Sequence, residues 1–196
     1  MEAVRARFAP EGPPVADGAA AGQNFRVATD SAYQIRPILP AEHDALGDLT
    51  VRSYLDGGFL LGGLDDPYTS RLRDVAHRAA SAHVLVAAGA DGALLGGVTL
   101  AFPGSPLAEL GGPGEAEIRM LAVDPAAHGR GVGSALAAAC VERARSEPGI
   151  KRVVLCSQET MGTAHRIYVR LGFERAPELD WSPVPGVDLL AFGLGF

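Results

Sequence analysis

A glycine-dense stretch, residues 116–136, carries the residue types best suited to chemistry in this chain. Residues 118–123 form a short apolar run, broken only by Arg119 and bounded by Asp124-Pro125, which predicts a buried strand. Residues 128–133 then place three glycines where a helix begins. The first N–H groups of a helix are unpaired and partly positive, and glycines let a phosphate approach them closely. The stretch therefore predicts a backbone cradle for a pyrophosphate.

The same glycines can also be interpreted in other ways. In the simplest one they only allow the chain to turn tightly before the helix. A dinucleotide-binding fingerprint, G-x-G-x-x-G, fits poorly, because Ser134 or Leu136 occupies its third glycine position and five residues separate Val123 from Gly129. A Walker phosphate loop does not fit either, because no Gly-Lys-Ser/Thr is present.

The stretch resembles the acyl-CoA signature of the GNAT acetyltransferase superfamily, Arg/Gln-x-x-Gly-x-Gly/Ala after a strand ending in Val-x-Pro. Here Val123-Asp124-Pro125 is followed by His128-Gly129-Arg130-Gly131-Val132-Gly133, with histidine in the Arg/Gln position. Residues 164–173 resemble a second family segment, Ala-x-x-Leu-Tyr-x-x-x-Gly-Phe, with Ile167 in the Leu position. Met161 stands where the family commonly has an asparagine. The two segments come in the family's order and separation.

The resemblance implies acetyl-CoA as co-substrate, without a metal. It assigns the pantetheine arm to the main chain at the strand end, with an oxyanion donor at or near Val123. It assigns the pyrophosphate to the glycine-rich loop, where Arg130 either adds charge or is a solvated surface residue. The implied cofactor-binding residues are Leu121, Ala122, Val123, His128, Gly129, Arg130, Gly131, Val132, Gly133, Ser134 and Tyr168.

Acyl transfer to an amine needs a base for the amine and benefits from an acid for the departing thiolate. Tyr168 matches the family tyrosine that serves as the acid; alternatively it is an ordinary aromatic residue on an apolar helix face. Glu117 starts the central strand, where the family often has a glutamate base. It is otherwise an exposed acid paired with Arg119, which alternation places on the same face. Glu115 is a nearby substitute.

In this fold the acceptor usually enters between the first two helices and the C-terminal strands. Acids in that region could attract a cationic amine, such as a polyamine or aminoglycoside, and aromatic rings could pack on it. Each residue is otherwise explained as a solvated acid in a turn or a half-buried ring. The candidates are Tyr54, Asp56, Phe59, Asp65, Asp66 and Trp181, with Asp180 as a further acid.

The function expected from the resemblance is an acetyl-CoA-dependent N-acetyltransferase. It would move an acetyl group to a primary amine of a small molecule or protein by direct transfer in a ternary complex. One alternative is a non-catalytic acyl-CoA-binding sensor or regulatory module, and another is an acyltransferase for longer chains.

Length and composition set the remaining bounds. The 196 residues suit one domain, and 47% hydrophobic with 20% charged residues is typical of soluble globular proteins. A net charge of −6 argues against a nucleic-acid partner. Neither a membrane-spanning run nor a signal peptide is recognisable, so we expect a cytoplasmic location. Cys140 and Cys156 are expected to be buried thiols, and a homodimer is left open.

The predicted element order is β-α-α-β-β-β-α-β-α-β-β. It includes one helix over residues 68–80 and a proline-rich loop over residues 181–187. The fold class is α/β (α+β), the GNAT acyl-CoA N-acyltransferase fold. Its central sheet is mixed and mostly antiparallel, with a parallel pair at its splayed centre, flanked by helices. Residues 1–31 are expected to be a flexible N-terminal arm, and residues 32–196 a single GNAT acetyltransferase domain.

Overall fold

The computed structural model describes residues 33–196, in which eight strands join one sheet and five α-helices flank it. The strands are β1 (Tyr33–Pro37), β2 (His83–Gly89), β3 (Leu94–Ala101), β4 (Glu115–Val123), β5 (Arg152–Gln158), β6 (Glu174–Arg175), β7 (Trp181–Val184) and β8 (Val187–Gly195). The helices are α1 (His43–Asp56), α2 (Tyr68–Arg73), α3 (Val75–Ser81), α4 (Val132–Arg145) and α5 (Gly162–Arg170). The expected arm, residues 1–31, lies outside the described residues.

The sheet has the strand order β1-β2-β3-β4-β5-β8-β6, and β7 pairs with β8 beside β6. Neighbouring strands are antiparallel throughout this order except at its centre, where β4 and β5 run parallel. The connection between β4 and β5 passes through α4, as a parallel pair requires. The predicted fold class is confirmed.

Two helical layers cover the sheet, one on each face. Helices α1 and α3 pack on one face through an apolar cluster that contains Leu46, Leu49, Val75, Val84 and Val86. Helices α4 and α5 pack on the other through a larger cluster that includes Leu136, Cys140, Leu155, Tyr168 and Phe192. We call these the α1 face and the α4 face. Within residues 33–196 no helix combines the length and the apolar character that crossing a membrane requires.

The helix predicted over residues 68–80 is divided in two at Asp74. The backbone leaves helical geometry there (φ −75°, ψ 68°), and the Asp74 carboxylate accepts a hydrogen bond of 3.0 Å from the His77 N–H. An aspartate that caps a helix in this way stabilises a new N-terminus. The break turns Arg78 inward, where its guanidinium donates to the carbonyl oxygen of Leu72 (2.8 Å) and to the hydroxyl of Thr99 (3.2 Å).

The loop predicted over residues 181–187 is instead the turn end of a β-hairpin formed by β7 and β8. Pro183 lies in β7, which pairs with β8 on one side only, and an edge strand tolerates the missing N–H of a proline. Gly186 closes the hairpin turn with φ 86°, a left-handed conformation that glycine adopts without strain. The proline-rich composition therefore marked the turn correctly and hid the strand next to it.

Candidate active site

The site begins where the two parallel strands separate. Strands β4 and β5 are paired from Glu115 and Arg152 to Ile118 and Leu155. Beyond that point β4 continues to Val123 without a partner on this side, and β5 diverges from it. In open sheets, ligands bind at the carboxyl ends of strands next to such an opening. The centre of this sheet is therefore a gap that joins its two faces.

A β-bulge at Met120 changes which side chains face each layer. Met120 has φ 52°, and the register between β3 and β4 shifts here. Ile118 packs on the α4 face and Met120 packs with Leu60 and Leu72 on the α1 side, although simple alternation would place both on one face. Bulges commonly redirect side chains next to functional sites. As a result, Leu121 and Val123 both pack on the α4 face.

A cavity of about 540 Å³ lies on the α1 side of this gap. Its size is within the range of about 300–1,000 Å³ that small-molecule sites have. Strand β4 contributes Glu117, Arg119 and Met120 to its wall, and β5 contributes Cys156, Ser157 and Gln158. The remaining wall comes from α1, α2, the loop between them and the β7–β8 hairpin, together with Ile118, Glu109 in the β3–β4 loop and Met161 after β5. We call this space the acceptor cavity.

Glu117 is the most buried carboxylate in the cavity wall, with 2% of its surface exposed. Its Oε2 accepts hydrogen bonds from the backbone N–H groups of Leu110 (2.6 Å) and Gly111 (3.1 Å). Its Oε1 lies 3.5 Å from the guanidinium of Arg119. Burial raises the pKa of Glu117 above its ordinary value, although Arg119 and the two N–H groups oppose that rise. A buried carboxyl with a raised pKa can act as a proton acceptor near neutral pH.

A chain of alternating charges continues from Glu117 along the cavity wall. Arg119 also donates to Glu109 (2.8 Å) and to the carbonyl oxygen of Leu107 (2.8 Å), and Arg71 pairs with Glu109 from the other side. Burial alone would lower the pKa of Arg119, but Glu117 and Glu109 outweigh it and raise that pKa. Arg119 therefore stays charged and holds Glu117 in place.

Tyr168 lies on the α4 face, on the other side of the gap from Glu117. It is 4% exposed and packs between the rings of Phe173 and Phe192, with centroid distances of 5.9 Å and 5.8 Å. Tyr168 raises the pKa of Tyr54, and Cys156 raises the pKa of Tyr168. Tyr54 and Cys156 both line the acceptor cavity. Burial raises the pKa of the Tyr168 hydroxyl, which therefore stays protonated at neutral pH.

The glycine-rich loop, residues 128–133, leads into α4 and presents several backbone N–H groups that have no backbone partner. Gly129 and Gly131 both have φ 76°, so each needs glycine for its backbone conformation. Gly133 serves packing, because a Cβ there would lie 3.1 Å from Cδ1 of Ile167. Among the backbone hydrogen bonds that lie outside helices and strands of the described chain, none uses the N–H of Gly129 or of residues 131–134. Unpaired N–H groups at a helix start fit a phosphate group.

The other residues of the predicted cofactor site surround this loop. His128 and Arg130 are exposed on it, and the Arg130 carbonyl oxygen accepts a hydrogen bond of 3.4 Å from the Tyr33 hydroxyl. Leu121 and Val123 lie on the part of β4 that has no partner on the β5 side, next to the buried Ala122. The structure thus brings the predicted cofactor residues together along the α4 face and the edge of β4.

The predicted acceptor residues divide into two groups. Tyr54, Phe59, Asp66 and Trp181 line the acceptor cavity. Asp56 and Asp65 are exposed and lie outside its wall. The substitute base, Glu115, also lies outside it and binds the Gly112 N–H (2.8 Å) and Arg152 (3.1 Å).

The two cysteines are free thiols in different surroundings. Cys140 is fully buried, whereas Cys156 is half-buried and lines the cavity. Burial raises the pKa of Cys156 to about 11, so its sulfur is a protonated thiol at neutral pH rather than a nucleophilic thiolate.

Glu109, Arg71 and Gln158 are cavity residues that sequence reasoning missed. They belong to a loop, a short helix and a strand end, and no motif contains them. The sequence did contain one indication that the β3–β4 loop, which carries Glu109, lies close to Glu117. The glycines of residues 111–114 stand just before Glu117, where a close backbone approach to a carboxylate is easiest.

The chain is similar in sequence to known acetyltransferases. The family model described as the acetyltransferase (GNAT) family matches residues 48–173. The mycothiol acetyltransferase of Salinispora tropica is 46% identical to this chain over 66 residues, which are 32% of this chain and 22% of that protein. The chain thus covers about a fifth of the length of the curated relative that it matches.

Solved structures share the fold. A GNAT-family acetyltransferase from Staphylococcus aureus Mu50 has a TM-score of 0.65 and 15% identity, with 84% of this chain and 99% of that chain covered. The protein yncA from Salmonella typhimurium, solved with its cofactor acetyl-CoA, has a TM-score of 0.61 and 21% identity, with coverages of 84% and 94%. The family model spans well over half of the 196 residues. The chain therefore belongs to the acetyltransferase (GNAT) family.

Proposed function

We propose that this protein is an acetyl-CoA-dependent N-acetyltransferase that moves an acetyl group directly to a primary amine within a ternary complex. The observation that carries the proposal is the gap between β4 and β5. It connects a cavity that contains the buried Glu117 with the α4 face, which contains Tyr168 and the unpaired N–H groups at the start of α4. We also propose that residues 32–196 form a single domain, because every strand from Tyr33 onward joins one sheet.

The α4 face suits the co-substrate. The N–H groups of residues 129 and 131–134 would hold the pyrophosphate, and the unpaired edge of β4 at Leu121–Val123 would hold the pantetheine arm by main-chain hydrogen bonds. Acetyl-CoA supplies an acetyl group that is activated as a thioester. His128, exposed at the loop, would add a hydrogen bond to the phosphates.

Glu117 is the proposed general base. The amine of the acceptor arrives as an ammonium group and must lose a proton before its nitrogen can attack. Glu117 lines the acceptor cavity, and its raised pKa places its proton affinity closer to that of an amine than an exposed carboxylate has. A carboxylate has about four lone-pair sites, so its present hydrogen bonds leave room for the substrate or one water.

Tyr168 is the proposed general acid. Its hydroxyl is protonated at neutral pH, because burial raises its pKa. A phenol in this position can protonate the departing thiolate, which is a better leaving group when it receives a proton. The base and the acid then act from opposite sides of the gap.

The direct test measures thiol release from acetyl-CoA with a panel of primary amines. Tyr168→Phe is expected to lower kcat by about 10²-fold, and Glu117→Gln by about 10²–10³-fold, with the dissociation constant of acetyl-CoA unchanged. Glu115→Gln tests the substitute base and is expected to keep activity, because Glu115 lies outside the cavity.

The rival function is acyl-CoA binding without catalysis. A protein that binds acetyl-CoA but releases no thiol with any amine would be such a sensor, and this result would overturn the proposal. Equal activity of Tyr168→Phe and the unchanged protein would remove the tyrosine from the mechanism. Loss of activity in Glu115→Gln alone would transfer the role of base to Glu115.

A further inference from the structure

The wall of the acceptor cavity is mainly aromatic and aliphatic. Tyr54 lies 6.1 Å from Phe59 and 6.3 Å from Tyr68, measured between ring centroids, and the three rings form one side. Trp181 and Leu189, paired across β7 and β8, are part of the same wall. Such a wall favours an apolar body, because burying apolar surface contributes about 25 cal/mol per Å².

The charged side chains in the wall are already paired with one another or with the backbone. Arg119 lies between Glu117 and Glu109, and Arg71 binds Glu109. The carboxylate of Asp66 accepts hydrogen bonds from the N–H groups of Tyr68 (2.9 Å) and Gly62 (3.3 Å). Two arginines therefore balance two glutamates, and the third acid is fixed by the backbone of its own loop.

Three of the four acids considered for a cationic acceptor lie outside the cavity wall. Asp56 and Asp65 are exposed outside its wall, and Asp180 accepts hydrogen bonds from the two terminal nitrogens of the Arg175 guanidinium at 3.0 Å and 2.7 Å. A second ammonium group on the acceptor would lose its hydration in this cavity. It would have to compete with Arg71 and Arg119 for Glu109, or with backbone N–H groups for Asp66. Burying a charge in that way is costly.

The opening of the cavity is also apolar. Leu61, in the loop after α1, and Val184, in β7, line the cavity and are 66% and 52% exposed. Two large apolar side chains on either side of an opening attract an apolar ligand more readily than a hydrated cation. Leu64 is equally exposed, at 63%, but lies outside the wall.

We propose that the acceptor is a monoamine with one primary amino group on an otherwise apolar, aromatic or branched body. This inference rests on the proposed function, since it describes the acceptor of the same reaction. The amino group binds at Glu117, and the apolar body fills the space between the aromatic side of the wall and the opening at Leu61 and Val184. Polyamines and aminoglycosides are correspondingly poor substrates.

The experiment compares 4-methylbenzylamine with p-xylylenediamine. The two amines differ at one ring position, where the first has a methyl group and the second has an aminomethyl group. Spermidine is included as a flexible polyamine. Thiol release is expected to give kcat/KM at least about 10-fold higher for the monoamine than for either polycation. An equal or higher kcat/KM for p-xylylenediamine or spermidine overturns the inference and leaves the proposed function intact. Binding of acetyl-CoA without thiol release for any amine overturns both.

Variants at the opening test where the apolar body lies. Leu61→Glu places a carboxylate at the opening and is expected to lower the monoamine-to-diamine ratio of kcat/KM by about 3–10-fold. Leu64→Glu adds the same charge in the same loop outside the wall and is expected to leave the ratio unchanged. The same fall in both variants, or in neither, contradicts the proposed position.

Discussion

At the scale of single residues, the proposed chemistry depends on how burial and nearby charge together set the pKa of Glu117. Burial favours its protonated form, and Arg119 with two backbone N–H groups favours the ionised form. The outcome is a pKa above the ordinary value but below what the same burial would give without Arg119. Because only the ionised form accepts a proton, kcat/KM should fall as the pH drops through this pKa.

Arg119 should therefore set the acidic limb of the pH profile. Replacing Arg119 with Gln removes the charge that opposes burial, so the pKa of Glu117 rises further and the acidic limb of kcat/KM moves to higher pH by about 1 unit. The measurement is the pH profile of kcat/KM for the amine, obtained from thiol release at subsaturating amine and saturating acetyl-CoA. Arg119→Lys keeps a charge and should move the limb less.

Arg73→Gln provides the matched control for that experiment. It removes the same charge, but Arg73 forms an exposed ion pair with Asp48 outside the cavity wall. An acidic limb that stays in place, or moves to lower pH, in Arg119→Gln would show that Arg119 does not tune the base.

The sequence predicted Tyr168, Glu117 and the glycine-rich loop because each belongs to a continuous motif. Glu109 and Arg71 escaped prediction because the ion pairs of Glu109 with Arg71 and with Arg119 join a loop, a helix and a strand that no single motif contains. The acids were chosen because they lie in the segments where this fold usually admits the acceptor, and no motif supported them. Asp66 lines the cavity. Asp56 and Asp65 are close to the cavity in sequence, yet the chain directs them to solvent.

At the scale of elements, the start of α4 is the feature with the sharpest geometric requirement. Gly131 precedes the helix with φ 76°, and a Cβ there would meet only the Tyr33 hydroxyl at 3.7 Å, an ordinary contact. A side chain at this position is thus excluded by backbone conformation and not by space. The backbone conformation in turn aims the N–H groups that follow.

Gly131→Ala should therefore weaken binding of coenzyme A as well as folding. The left-handed conformation costs about 1 kcal/mol of stability with alanine, and any relief by a backbone shift misdirects the first N–H groups of α4. We expect a lower Tm and a dissociation constant for coenzyme A that is about 5–10-fold higher by calorimetry.

The control for this variant lies at the other end of the same helix. Gly149 has φ 86° with nothing near its Cβ position, and it follows α4, which is about 21 Å long. Gly149→Ala should lower Tm by a similar amount and leave coenzyme A binding unchanged. Equal loss of binding in both variants would mean that stability alone explains the effect.

Element prediction failed at two places for identifiable reasons. Periodicity alone could not locate the break at Asp74, because a helix of residues 68–80 and two helices with a capping aspartate share the same apolar spacing. The strand at residues 181–184 was hidden by Pro183, which is compatible with a strand only at a sheet edge. Edge position is a tertiary property that one short segment does not reveal.

At the scale of the whole molecule, the sheet separates the two helical layers except at the gap between β4 and β5. The proposed base and the proposed acid lie on opposite faces, and the bulge at Met120 decides which β4 side chains belong to each. The sequence predicted a splayed parallel pair but not this division between the faces. The division arises because the pairing of β4 and β5 stops at Ile118 and Leu155, which no local pattern encodes.

Two segments distant in sequence close the acceptor cavity over this gap. The loop of residues 57–66 approaches the β7–β8 hairpin, where a Cβ on Gly186 would lie 3.6 Å from Cδ1 of Leu61. The same loop is fixed to the sheet by Gln158, whose side-chain amide donates to the carbonyl oxygen of Phe59 at 2.9 Å. That hydrogen bond connects residues 99 positions apart in the chain.

Gln158→Ala should consequently loosen the cavity without affecting the α4 face. Loss of one hydrogen bond worth about 1 kcal/mol should raise the open population of the loop about fivefold. We expect faster amide hydrogen exchange in residues 57–66, a several-fold higher KM for the amine, and an unchanged dissociation constant for acetyl-CoA. Gln34→Ala, at an exposed position on the edge strand β1, is the control and should change none of these. A raised KM with unaltered exchange in residues 57–66 would assign Gln158 a direct contact with the acceptor and refute its role as the tether of the loop.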